Sequence, residues 1–132
     1  LSPSARGELE VLSGAMEEIL SLALEAFLSE DLRAAARVEP LEETVDRLKE
    51  EMRSRHIRRM QRGECSLEVG FVWSDVLNDL ERVADHCSNI AGCVVEMEHY
   101  GMNVHESLRE RRETGEEFQG QVELYGKKYT LE

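Results

Sequence analysis

Apolar side chains recur along this chain at steps of three and four residues. Leu9, Leu12, Met16, Ile19, Ala23 and Phe27 form one such row, the spacing that lines up side chains on one face of an α-helix. Ser2 followed by Pro3 suits a helix start, with the serine as cap and the proline where a missing N–H costs least. The row predicts a helix over 3–28, closed by the Ser29-Glu30-Asp31 cluster, which can also cap the next element. Val38, Leu41, Val45, Leu48 and Met52 predict a second helix over 32–62, with a kink at Pro40 or an effective start at Glu39. Arg58, Arg59 and Arg62 make a basic last turn that suits the helix dipole, and Gly63 stops it.

Ser66 caps a third helix over 67–99, whose row is Val69, Val72, Val76, Leu80, Val83, Cys87, Ile90, Val94 and Met97. A helix of that length spans roughly 45–50 Å and belongs in a bundle. Gly101 breaks it. Asn103 with Glu106, and then Thr114 with Glu117, read as caps of shorter helices over 104–113 and 116–129, the second weakened by Gly120 and Gly126. Phe118, Val122, Tyr125 and Tyr129 can pack that last segment on the bundle. The expectation is an all-α domain over 1–132: an antiparallel three-helix bundle of long helices, with one or two short C-terminal helices packed on it.

Composition narrows what such a bundle binds. Against 28 acidic residues stand 16 lysines and arginines, a formal charge of −12. That excludes nucleic acid and direct lipid binding to an anionic membrane surface, both of which need a basic face. Cys65, Cys87 and Cys93 lack zinc-knuckle spacing and, with Cys87 and Cys93 pointing in different directions, suggest a reduced compartment. No run is long and apolar enough to span a membrane, and no signal peptide is visible. The opening Leu1-Ser2-Pro3-Ser4 reads as linker, so the expectation is a piece of a longer protein.

Two carboxylate pairs stand four residues apart: Glu42 with Asp46 on the second helix, and Glu81 with Asp85 on the third. Side chains so spaced are neighbours about 5–6 Å apart at Cβ, and two carboxylates there repel unless protonated or bridged by a cation. Pairs facing one another would make an oxygen-rich metal site inside a bundle. In so acidic a chain the same spacing also arises by chance on a solvated face. The third helix adds a polar side of Asp75, Asn78, Glu81, Arg82, Asp85, His86 and Asn89, with a single basic residue among them. That composition leans towards a cation site or a buried polar interface. His86 either joins a metal shell or lies at the surface. Cys65 shows no histidine partner by spacing, and hydrolase, phosphate-loop and zinc-protease motifs are absent, so no enzyme is expected.

The run Asp79-Leu80-Glu81-Arg82-Val83-Ala84-Asp85-His86-Cys87-Ser88-Asn89-Ile90-Ala91 resembles the signature segment of the PhoU family. Leu41-Glu42-Glu43-Thr44-Val45-Asp46-Arg47-Leu48 is similar to that family's second-helix segment. Asp85-His86, the stretch from Arg55 to Cys65, and the closing Tyr125-Gly126-Lys127-Lys128-Tyr129-Thr130-Leu131 look like the version at the cytosolic C-terminal end of bacterial sodium/phosphate cotransporters. The resemblance implies a non-catalytic regulatory domain on the cytoplasmic side of the inner membrane. It would serve a membrane transport domain of the same polypeptide, pair as a homodimer, and bind iron, zinc or manganese. By position it nominates Glu42, Asp46, Glu81 and Asp85 as ligands, with Asp75, Asn78, His86 and Asn89 as further or supporting groups. The alternatives are a free-standing phosphate-signalling regulator and a purely structural helical dimerisation module.

Overall fold

The computed structural model describes residues 1–99 and 104–132. It contains four helices: α1 Pro3–Ser29, α2 Leu32–Gln61, α3 Leu67–His99 and α4 Val104–Lys128. The first three pack against one another as an up-down-up bundle, and α4 lies on α2. The expected Gly101 stop and Asn103 cap lie outside the described residues.

Local chemistry sets the boundaries. The Ser2 hydroxyl accepts from the Ala5 N–H at 3.1 Å, with Pro3 in the first turn of α1. Asp31 caps α2 by accepting from Arg33 and Ala34, and Ser66 caps α3 by accepting from Val69. Gly63, at φ 73°, takes the left-handed turn that ends α2, where its N–H and that of Glu64 return to the Met60 and Arg59 carbonyls. Through Pro40, α2 runs on without a break, so the helix does not restart at Glu39.

Of the one or two short C-terminal helices expected there is one, which runs through Gly115, Gly120 and Gly126 without the break expected at Thr114. Packing overrides the glycine propensity here. Tyr125, Tyr129 and Leu131 are buried, and Gly126, bare of a side chain, lets the Arg47 guanidinium reach its carbonyl at 3.3 Å. Glu18 on α1 ties this end down by accepting from Tyr129 and Lys128. Burial alone would raise Glu18, but the hydrogen bonds from Lys128 and Tyr129, with the nearby Tyr125 hydroxyl, outweigh it and hold the carboxyl below its ordinary value.

The core follows the predicted row completely on α2, where Val38, Leu41, Val45, Leu48 and Met52 are all buried. On α1 the row holds except at Phe27, which is exposed while Leu22 and Ala26 turn inward. On α3 the expectation was off by part of a turn. Gly70, Trp73, Leu77, Ala84, Cys87, Ala91 and Val94 face the core, while Val72 is 64% and Met97 69% exposed. Small residues at Gly70, Ala84 and Ala91 form much of this inward face, with the Met60 and His56 side chains seated against Gly70, and the bulkier valines beside them are left at the rim.

A second polar cluster closes the end of the bundle where α2 meets α3. Arg59 donates to both oxygens of Glu8 at 2.9 and 3.0 Å and lies over the Trp73 ring. His56 stacks on Trp73 with centroids 5.5 Å apart, and its Nε2 stands 3.4 Å from the Cys65 sulfur. Cys65 therefore does have a histidine neighbour, nine positions back, brought to it by the turn at Gly63. Burial, then the charge of Arg59, pushes the His56 pKa down, so the ring is neutral near pH 7.

Candidate metal-binding cleft between α2 and α3

Along α2, Glu42, Asp46, Lys49 and Arg53 follow one another at steps of four, three and four, a single stripe facing α3. Antiparallel to it, α3 offers Ser88, Asp85, Glu81 and Asn78. The rungs match in order. Ser88 lies beside the Glu42 carboxylate. Lys49 Nζ stands 2.5 Å from Glu81 Oε2, and Arg53 donates to Asn78 Oδ1 at 2.7 Å. Between these joined rungs Asp46 and Asp85 set acid beside acid.

The electrostatics record the imbalance. Glu42 is raised above the ordinary carboxyl value, chiefly by burial, with the neighbouring Ser88 hydroxyl opposing and the negative charges of Asp85, Asp46 and Glu39 adding to the rise. Asp46 is raised by burial first and next by Glu81, with Lys49 opposing. Glu42 Oε2 and Asp46 Oδ1 are buried without a hydrogen-bond partner, an uncommon state for carboxylate oxygens. Asp46 also borders an open depression between α2 and α4, beside Glu43, Thr44, Arg47 and Val122.

The structure places Glu42, Asp46 and Glu81, half-buried, and Asp85, exposed, along one seam between α2 and α3. Asn78 borders it, engaged by Arg53. Asp75, His86 and Asn89 are exposed and have no hydrogen bond or ion pair among the described residues. Lys49 and Arg53 were missed. Their signal was the continuation of the Glu42–Asp46 stripe by two basic residues along the same face.

A hard cation fits the donor chemistry of this cleft, since its free groups are carboxylate oxygens and two are orphaned. The arrangement is not closed around one: among the described residues no three carboxylate, imidazole or thiol groups stand at metal-ligand spacing.

The profile of the PhoU domain matches residues 9–94, which take in all of α2, most of α1 and α3, and the four acids between α2 and α3. The chain belongs to the PhoU domain family. It is 31% identical over 102 residues to the phosphate-specific transport system accessory protein PhoU homolog 1 of Thermotoga maritima. That match takes in 77% of this chain and 44% of the relative, so the chain spans less than half that protein's length. No solved structure matches the chain significantly. Within this PhoU domain no described helix is long and apolar enough to cross a membrane.

Removing one acid of the unjoined rung is expected to stabilise the cation-free fold. Asp46 titrates higher folded than unfolded, so its contribution to stability is present in acid and lost as pH rises through the raised value. Asp46→Asn should therefore melt above the parent at pH 7, with the difference shrinking towards zero by about pH 4. Thermal unfolding of both proteins in chelator across that range checks this; a gain independent of pH would sink the explanation.

Proposed function

We propose that this chain is a non-catalytic regulatory domain of phosphate transport that binds a metal cation in the α2–α3 cleft. Glu42, Asp46, Glu81 and Asp85 are its ligand groups, and iron, zinc and manganese the candidate ions. The observation that carries the reading is the pair of buried, unpartnered oxygens on Glu42 and Asp46, placed where Asp85 adds negative charge. A cation between them would relieve both the missing partners and the repulsion, and would tie α2 to α3 more firmly. That change in packing is the means by which the domain would signal to a transport machine.

Family membership and the accessory role in the relative's name support the phosphate-transport part of this reading. The cotransporter reading, in which a membrane domain belongs to the same polypeptide, rests on the similarity of the 55–65 stretch and Asp85-His86. A free-standing regulator is the second reading, favoured by the relative being an accessory protein in its own right. Sequencing the complete reading frame separates them, because the first requires apolar spans of about 20 residues in the same chain.

The metal part is tested by stripping the protein with chelator and titrating Mn²⁺, Zn²⁺ and Fe²⁺ calorimetrically. The parent is expected to bind at least one of them and to melt higher when loaded. Asp85→Asn and Glu42→Gln are each expected to weaken binding about tenfold or more. Absence of binding to any of the three ions would overturn the metal site.

A further inference from the structure

We propose that Lys49 is a built-in competitor for the cation, an internal ammonium that occupies Glu81 until a metal displaces it towards Glu50. The inference rests on the metal reading above and adds to it a residue that sets when and how tightly the cleft fills.

Lysine is seldom buried unless paired, yet Lys49 is only 7% exposed. Its Nζ lies 2.5 Å from Glu81 and 3.5 Å from Glu50. Glu81 is one of the acids that the cleft would present to a metal, and its Oε2 is already engaged. Asp46 and Glu42 keep their orphaned oxygens because the single ammonium on this seam near them has gone to the neighbouring rung.

The geometry also supplies a place for Lys49 to go. Glu50 is largely exposed, follows Lys49 directly, and already lies within ion-pair range of both Lys49 and Arg53. A lysine ammonium is a point charge on a flexible four-carbon stem. It can leave Glu81 for Glu50 without forfeiting an acidic partner, while Glu81 turns its freed oxygen to the metal. A divalent ion brings twice the charge to the same carboxylates, so the exchange favours metal over ammonium only when enough metal is present. Lys49 thereby raises the concentration at which the cleft loads.

Three proteins decide the matter: the parent, Lys49→Met and Glu50→Gln, with Lys49→Gln as a second removal of the charge should Met disturb folding. Each is stripped and titrated with Mn²⁺, and circular dichroism confirms the helices. Reductive methylation of Lys49 is followed by peptide mass spectrometry with and without Mn²⁺. Lys49→Met should bind Mn²⁺ about ten- to a hundredfold more tightly than the parent. Glu50→Gln should bind more weakly, and Mn²⁺ should speed methylation of Lys49 in the parent. Equal or weaker binding by the Lys49 variants, with the parent still binding, overturns the competitor and leaves the metal site standing. No binding of Mn²⁺ by any of the proteins overturns the competitor, and no binding of Zn²⁺ or Fe²⁺ either overturns the metal site as well.

Discussion

Arg59→Met is expected to destabilise the fold by about 3–5 kcal/mol, the cost of leaving a buried charge without its partner. In a domain of 132 residues that lowers the melting temperature by roughly 10–20 °C. The reason lies in Glu8, which is 3% exposed and takes both of its close hydrogen bonds from the Arg59 guanidinium. Arg55 stands 3.6 Å from Glu8 but is itself partly solvated and engaged by Glu51 and by the Glu132 carbonyl, so it replaces Arg59 poorly. Loss of Arg59 also strips one face of Trp73, whose ring it covers. Urea unfolding of the parent, Arg59→Met, Glu8→Leu and the double variant measures the coupling. The double variant should recover much of the loss, because it removes both charges together. A single-variant loss below about 1 kcal/mol would mean that Glu8 finds water or another cation in the parent.

Leu48→Ala should cost about 2–5 kcal/mol, through lost burial and the cavity left behind. Leu48 is 1% exposed, lies between Val45 and Met52 on the buried side of α2, and directly precedes Lys49. Because α2 touches α1, α3 and α4, little can collapse into the space. Val72→Ala is the matched control. It removes apolar surface from α3 at a place already open to solvent, where substitutions usually cost within about 0.5 kcal/mol. Chemical denaturation of the two variants compares them directly. A large loss at Val72 with a small one at Leu48 would reverse the assignment of faces.

These two sites show how unevenly the fold could be read from sequence. The α2 core was legible because its inward positions are all strongly apolar and sit at regular steps. On α3 the inward face is built largely from Gly70, Ala84, Cys87 and Ala91, residues of weak hydrophobic signal, while valines at the rim carry the strong one. Periodicity found the helix and misjudged its rotation. The acids of the cleft were legible from i,i+4 spacing, since both members of each pair lie on one element. Lys49 and Arg53 belong to the same stripe, but their role appears only when α3 is laid beside it. Glu8 and Arg59 lie 51 positions apart, and no local pattern marks a carboxylate that will be buried. The fusion of two expected C-terminal helices into α4 depends on the seat that α1 and α2 provide for Tyr125 and Tyr129.

The charged seam between α2 and α3 has little power to fix which residue meets which. Slide α3 by one turn, about 5.4 Å, and Lys49 would face Asp85, Arg53 would face Glu81, and Asp46 would face Ser88. Opposite charges would meet again, so those rungs are nearly degenerate between two alignments. What breaks the tie lies at the end of the bundle, where Trp73 packs against His56 and Arg59. The slid alignment would present Leu77 there, with no aromatic face for the imidazole or the guanidinium. The alignment of the charged rungs is thus specified from one to four turns away along α3, by a tryptophan outside the seam.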